Sequence, residues 1–403
     1  MRSSAPYAIS RPPLAARRPD RVERPQPATR RARVGSIDLV LLFCVLGLLV
    51  IGVVMVYSTT AALSRDGWGG SAHYLFVQSI ATILGLAGAT LAATVRLEVY
   101  ARHTKHAVYI AFAMMLAVYV PFIGLNVNGF RRWLNLGVFA FQPVEFVKLA
   151  LILYVAKFLS SDQRSVRSLS KGVLPNVIIM LAFVVLLIAQ PDFGSAVLLC
   201  AIVFAMLFAG GARLSHMFLL ALTAGAPAWF LVHGSSYRWQ RILTYFEWIG
   251  GTMPVPDDRG YQIWQSYNAL STGGLVGVGF GDSIHKLFYL PAPHTDFIFT
   301  VLAEELGFFG GAIVVALFVG LVVRGMQTAM RVEDPFAKML AFGVSTALGL
   351  QALVNIAMAL GLLPTKGFTL PFLSYGGSSV MLSLVMAGVL LNVTRLVPDA
   401  QAE

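Results

Sequence analysis

The chain has 403 residues, 57% of them hydrophobic and 12% charged, with a mean hydropathy of +0.74; a soluble domain carries about twice that charged fraction. So many apolar residues exceed what one aqueous core can hide, which excludes a purely water-soluble protein. The net charge of +11 would suggest nucleic acid, but nine arginines fall in the first 33 residues, in a Pro- and Ala-rich stretch with little to fold around.

Residues 1–36 are therefore expected to be a disordered cytoplasmic tail, drawn to anionic headgroups and setting topology rather than binding nucleic acid. Beyond it, apolar runs of about twenty residues recur, the length a bilayer imposes on helices. The predicted spans are 39–57, 75–95, 106–124, 146–160, 175–190, 194–211, 216–233, 300–323, 338–361 and 378–394, the fourth to sixth being short or interrupted. A β-barrel would alternate apolar and polar residues over about ten positions, a period absent here. The expected fold is an all-α polytopic membrane protein, with a transmembrane domain over 37–396 and a short cytoplasmic tail over 397–403. Cys44 and Cys200 both fall in apolar segments and read as small buried hydrophobes.

The positions of Lys and Arg orient the chain. With the N-terminus in the cytoplasm, 21 of the 30 lie inside and eight outside, Lys148 standing near the start of a span. The positive-inside rule thus gives N-in, C-in and an even number of spans. The same orientation sends 125–145, the Gln190–Gly194 turn, 234–299 and Gly361–Ser379 outward. These stretches are the sections richest in Gly, Pro, charge and aromatic residues, whereas the inner connections are short and plainly basic, so function belongs to the outer face. Within 234–299, Tyr261 to Leu270 is expected as a short helix, and the glycines that follow it lack the spacing of a nucleotide-binding loop.

Several outer residues could carry chemistry. Asp296, in His294-Thr295-Asp296-Phe297, stands where water meets hydrocarbon, which suits a general base of raised pKa; a helix N-cap is the equal alternative. Glu304 and Glu305 lie further into the same helix and need partners or a cavity. Glu145 and Lys148 share a helix face at i, i+3. They form either a local ion pair with snorkelling, or a site in which Lys148 binds an anionic headgroup or supports Asp296. Arg131, Arg132, Arg238 and Arg241 sit outside against the charge rule, as an anionic substrate or phospholipid would require. Lys366 begins an irregular segment, Leu363 to Ser379, of re-entrant or broken character. Asp192 reads as a turn residue with a capping role, and Asn355 as a bridge between helices. Residues alone leave open an enzyme acting on an anionic lipid-linked substrate and a transporter or flippase.

Seven stretches, in order and spacing, resemble the bacterial SEDS family (shape, elongation, division and sporulation) across 36–396. They are Asn128 to Trp133, Gln142 to Lys148, Gln190 to Gly194, Tyr237 to Arg241, Gly260 to Gln262, His294 to Phe299 with Glu304-Glu305-Leu306-Gly307, and Leu363 to Gly367 with Pro371 to Ser379. Val144 stands where the family usually has Ser, and Leu363 to Gly367 resembles the division branch rather than the elongation branch. The resemblance implies ten transmembrane helices and a glycosyltransferase that polymerises lipid II at the outer face of the bacterial cytoplasmic membrane during septal wall synthesis. It assigns catalysis to Asp296, Lys148 and Glu145. Substrate or diphosphate binding would fall to Arg131, Arg132, Arg238, Arg241 and Lys366, with Glu304 and Glu305 counted here or as structural pairs. It implies no organic cofactor, room for a divalent cation such as Mg2+ or Mn2+, and as partners a single-pass class B penicillin-binding transpeptidase, divisome regulators and membrane lipids. The rival expectations are a lipid II flippase, a noncatalytic division scaffold and an elongation-type member.

Overall fold

The computed structural model describes residues 35–61, 70–127, 129–137, 139–161, 165–251, 260–287 and 289–397. The expected basic tail, save residues 35 and 36, and the expected C-terminal tail, save residue 397, lie outside the described residues. Each predicted span falls on an α-helix: α1 Leu39–Ala61, α2 Gly70–Thr94, α3 Leu97–Ala117, α4 Pro143–Ser161, α5 Leu174–Ala189, α6 Phe193–Ala209, α7 Leu214–His233, α10 Ile298–Arg331, α11 Pro335–Ala359 and α12 Gly377–Thr394. Two further helices, α8 Ser236–Ile249 and α9 Tyr261–Gly273, belong to the outer segment; α9 was expected, α8 was not. Among the described residues, seven helices are long and apolar enough to cross a membrane. Of the rest, α6 is only 17 residues long, while α3 and α4 carry charges, in α4 the pair Glu145 and Lys148.

The helical expectation holds, with one small addition. A three-stranded antiparallel sheet, β1 Gly124–Val127, β2 Phe130–Asn135 and β3 Ala140–Phe141, follows α3, which ends at Ala117 rather than near 124. Val127 pairs with Phe130, and the two residues between them in sequence are Asn-Gly, the dipeptide that best favours a tight hairpin. Gly129 adopts the positive φ, 83°, that such a turn needs.

Lipid tails are as apolar as leucine, so helices here gain by close packing and internal hydrogen bonds rather than by leaving water. The tightest seam joins α2 to α12. A Cβ at Gly85 would sit 2.7 Å from Leu384, one at Gly88 would sit 2.9 Å from Val385, and Gly388 abuts the backbone of Ala89. Asn392 extends this seam inward, its amide donating to the carbonyls of Ala92 (2.8 Å) and Val95 (2.5 Å). The opposite end of α2 is thereby held beside the entry to α12, where the irregular outer segment ends.

Helix α10 is interrupted. Gly307 has φ 69° and ψ −168°, and the stretch after α9 fills the break with backbone. The N–H groups of Val278 and Gly279 donate to the carbonyls of Glu304 and Glu305, while Phe308 and Phe309 donate to Gly274 and Leu275. Both half-helix ends therefore find partners inside the protein, as membrane depth demands. Gly277, at φ 89°, meets the Glu305 carbonyl and the Gly307 backbone so closely that neither position has space for a side chain.

The orientation is open to a direct check. In a chain carrying Cys44→Ala and Cys200→Ala, a cysteine at exposed Val276 is expected to react with a membrane-impermeant maleimide in intact spheroplasts, and one at Glu333 only after permeabilisation. The reverse pattern would move Asp296 to the cytoplasm.

Candidate active site

Asp296 lies two residues before α10, and Phe297, not Asp296, occupies the N-cap. The capping alternative therefore fails. The carboxylate instead lies against Gly367, where a Cβ would sit 3.0 Å from Oδ2. Asn355 bridges two loops rather than two helices, its amide donating to the carbonyls of Asp296 (2.9 Å) and Phe368 (2.5 Å). Ser374 Oγ donates to the Thr295 carbonyl (2.5 Å) and accepts from the Leu370 N–H (2.7 Å), and the Tyr375 N–H donates to the His294 carbonyl (2.8 Å). The irregular outer segment is thus stitched along His294 to Asp296. Burial pushes the Asp296 carboxyl up from 3.8 to about 6, against the opposing pull of the Thr295 hydroxyl and Arg241.

Beside it stands a group of cations. Lys366 Nζ is buried without a hydrogen-bond partner and lies 4.8 Å from the centroid of the Phe193 ring, which also receives Arg238 at 5.6 Å. Gly194 makes room for this lysine, since a Cβ there would sit 2.7 Å from Nζ. Desolvation lowers the Lys366 amine to about 8; Asp192 opposes that, and Arg238, Arg132 and Arg241 reinforce it. Three of the predicted arginines are therefore near enough to act on Lys366, and each is fixed by a backbone carbonyl. Arg241 donates to Thr365 (2.6 Å), Arg238 to Leu231 (2.8 Å), and Arg132 to Gln190 and Pro191 (both 2.8 Å). Arg131 turns elsewhere, donating to Tyr119 (3.3 Å) from an exposed position. Asp192 caps α6 as expected, accepting from the Ser195 N–H (3.2 Å) and hydroxyl (2.7 Å).

Lys148 and Glu145 form the expected ion pair, 2.8 Å apart, but do not snorkel: their side chains are 4% and 6% exposed. Lys148 also donates to Gln351 Oε1 (2.5 Å), and the Gln351 amide donates to the Thr369 carbonyl (2.9 Å) and hydroxyl (3.2 Å). These residues line a cavity of about 40 Å³ together with Gly367 and Phe368. Lys148 thus reaches Asp296 only through Gly367 to Thr369, the stretch whose first residue abuts the carboxylate. An ion pair this dry is held by geometry and further hydrogen bonds, both present here.

Glu304 and Glu305 are spent on the outer loop. Glu304 accepts from Ser283 Oγ (2.5 Å), the Ile284 N–H (3.1 Å) and His285 Nδ1 (2.8 Å). Glu305 accepts from Lys286 Nζ (2.6 Å) and Ser58 Oγ (2.7 Å), tying the loop to α1. Neither carboxylate is exposed by more than 1%, and the structure brings neither to the Lys366 cluster. Among the described residues, no three His, Cys, Asp or Glu side chains group into an all-protein metal site, whereas Mg2+ or Mn2+ held largely by substrate phosphates would need only one or two carboxylates.

Residues 39–397 match the family described as cell cycle protein, which groups FtsW, RodA and SpoVE. The chain belongs to this family. It is 40% identical over 362 residues to a protein of Geobacter sp. (strain M18) named probable peptidoglycan glycosyltransferase FtsW, covering 90% of this chain and 98% of the relative. It is 38% identical to stage V sporulation protein E of Bacillus subtilis (strain 168), covering 89% and 97%. A chain from a structure concerned with coordination of polymerization and crosslinking by a peptidoglycan synthase complex superposes with a TM-score of 0.73 at 30% identity, covering 89% and 98%. The rod shape determining protein RodA of Thermus thermophilus does so with 0.64 at 29%, covering 89% and 97%. The resemblance drawn from the seven sequence stretches, and the polytopic helical fold it implied, therefore hold.

Sequence reasoning missed Gln351, Gln78 and Lys286. Each is a lone polar residue in an apolar or loop context, with nothing local to name its distant partner. Gln78 holds Ser374 and Gly376 from α2, donating to the one carbonyl (3.4 Å) and accepting from the other's N–H (3.3 Å).

The raised Asp296 pKa has a consequence for stability. A carboxyl whose folded-state pKa exceeds its unfolded value favours folding while protonated; that contribution is fully present below about pH 4 and lost as pH rises through about 6. Asn is neutral throughout, so Asp296→Asn is expected to melt higher than wild type at about pH 8, by about 1–3 kcal/mol, with the gap closing near about pH 4. Thermal melts in detergent across that range check it, and a gap independent of pH would contradict the assigned burial.

Proposed function

We propose that the protein is a peptidoglycan glycosyltransferase that polymerises lipid II, with Asp296 as general base. The carrying observation is the juxtaposition of a half-buried carboxyl poised near neutrality with a four-cation group whose lysine amine has no hydrogen-bond partner. The names borne by the family relatives support the reaction class. In the proposed step the Asp296 carboxylate takes the proton of the acceptor's sugar hydroxyl. The freed oxygen forms a bond to the anomeric carbon of the donor as the bond from that carbon to the diphosphate oxygen breaks, and undecaprenyl diphosphate leaves with the electron pair. Lys366, Arg132, Arg238 and Arg241 stabilise the developing negative charge from fixed positions in a partly dry site. The proposed step uses protein groups alone. Lys148 and Glu145 act as positioning residues, since Gln351 passes their placement on to Thr369 and so to the stretch against Asp296.

A septal role is proposed as well, supported by the 40% identity to an FtsW-named relative against 28–30% for the RodA-type structures. The crosslinking partner proposed for it is a single-pass penicillin-binding transpeptidase, supported by the synthase complex among the structural neighbours. Divisome regulators and septal enrichment belong to the same reading.

With that partner and purified lipid II, Asp296→Asn is expected to lower polymerisation at least about 100-fold while remaining folded. Wild-type kcat/KM is expected to fall on the acid side with an apparent pKa near about 6, the value burial gives Asp296. Near-normal glycan formation by the variant would eliminate the base role. In cells, depletion is expected to give filaments without septa; rounded cells that still divide would favour an elongation role.

A further inference from the structure

Three aromatic rings from separate segments meet beside Asp296 and have no part in the mechanism above. Tyr74 comes from the outer end of α2, His294 from the motif that carries Asp296, and Tyr375 from the segment leading into α12. Their centroids are 5.1 Å (Tyr74 to Tyr375), 5.5 Å (Tyr74 to His294) and 5.7 Å (His294 to Tyr375) apart, with interplanar angles of 61–68°. His73 adds a fourth ring 6.2 Å from Tyr74. The three central rings are half-buried and His73 is exposed, so the group lies at the boundary of the protein rather than within the core. Burial lowers the His294 pKa, and its Nδ1 is enclosed without a hydrogen-bond partner.

An interfacial aromatic belt would distribute such rings around the circumference toward lipid. Here three segments are instead drawn onto one another, and the hydrogen bonds that join His294 to Tyr375, and Gln78 to the adjoining Ser374 and Gly376, fix the convergence. Each edge-to-face contact engages one face of one ring, and every ring has a second face, so half-buried rings packed this way can still offer a face to another partner. The axial C–H face of a pyranose is apolar and slightly positive, matching the negative face of an aromatic ring. A neutral imidazole beside it can exchange a hydrogen bond with a sugar hydroxyl or N-acetyl group.

We propose that Tyr74, His294 and Tyr375 form a saccharide subsite, which holds the sugar of the lipid-linked substrate at Asp296 while the cation group of Arg132 on β2, Arg238 and Arg241 on α8 and Lys366 holds its diphosphate. The inference rests on the polymerase reading for its ligand but makes a separate claim, that the site recognises sugar as well as diphosphate and prenyl chain.

The test measures binding of two lipids to the full-length protein in detergent, in the Asp296→Asn background so that neither is consumed. One is lipid II and the other is undecaprenyl diphosphate, which lacks the sugars. Tyr375→Leu is expected to weaken lipid II binding about fivefold and to leave undecaprenyl diphosphate binding within about twofold; Tyr375→Phe is expected to restore most of the loss. Tyr74→Leu should repeat the pattern and decides alone if Tyr375→Leu does not fold. Equal losses on both lipids, no loss on either, or a parent protein that binds the two lipids equally well would overturn the subsite. A parent that prefers lipid II through these rings, in a protein whose wild type never links it, would uphold the subsite and sink the polymerase. Polymerisation with indifferent tyrosine variants would do the reverse.

Discussion

Backbone that leaves regular structure near a bilayer must find every hydrogen-bond partner within the protein, and the architecture of the outer face follows from how residues 360–376 meet that demand. The segment has no helix of its own between α11 and α12. Gln351 and Asn355 reach it from α11, Gln78 from α2, and Ser374 closes it internally and onto Thr295. Phe372, at φ 67° and fully buried, marks how firmly the path is imposed, and Gly52 of α1 has only a hydrogen where Phe372 and Leu373 pass. Because the path is fixed, Gly367 comes against Asp296, Lys366 comes over Phe193, and Tyr375 comes beside Tyr74.

The same rule governs the break in α10, where loop backbone replaces the missing helical bonds at Gly307. Both irregular elements put polar groups where water is scarce, and both are surrounded by side chains otherwise costly in an apolar domain. Lys148 with Glu145 stands beneath the first, Lys286 with Glu305 beneath the second. Such pairs add little net stability, and losing one partner would strand a buried charge; their contribution is positional. The cation group is different in kind. Four like charges, with Asp192 near Lys366 and Asp296 near Arg241, repel one another, and an anion placed among them, such as the proposed diphosphate leaving group, would relieve that repulsion.

Much of this was legible in the chain, for identifiable reasons. Apolar runs located ten of the described helices, including the seven long and apolar enough to cross a membrane, and Lys and Arg placed Asp296, Lys366 and the outer arginines on one side. Local spacing correctly paired Glu145 with Lys148 and gave Asp192 its capping role. What periodicity could not carry was the identity of distant partners. Nothing near Gln351 in sequence points to Lys148 203 positions away, and nothing near Ser58 points to Glu305. The hairpin that pairs Val127 with Phe130 carries an Asn-Gly signal in the sequence, while the predicted span ran to 124, into the start of β1. Arg131 was grouped with Arg132 by adjacency, although alternate residues of a strand face opposite ways. Glu304 and Glu305 looked like site acids because a carboxylate in a membrane helix demands a partner, and only the fold shows that the outer loop supplies it.

The central claim is that burial under this fixed segment holds the Asp296 carboxyl near neutrality. Infrared difference spectroscopy of the protonated-carboxyl band, wild type minus Asp296→Asn across about pH 4 to 8, reads that protonation without turnover, substrate or partner. The account predicts a band assignable to Asp296 that disappears with a midpoint near about 6. A midpoint near 3.8, the ordinary aspartate value, would mean that the carboxyl is effectively solvated, and would contradict the site as described.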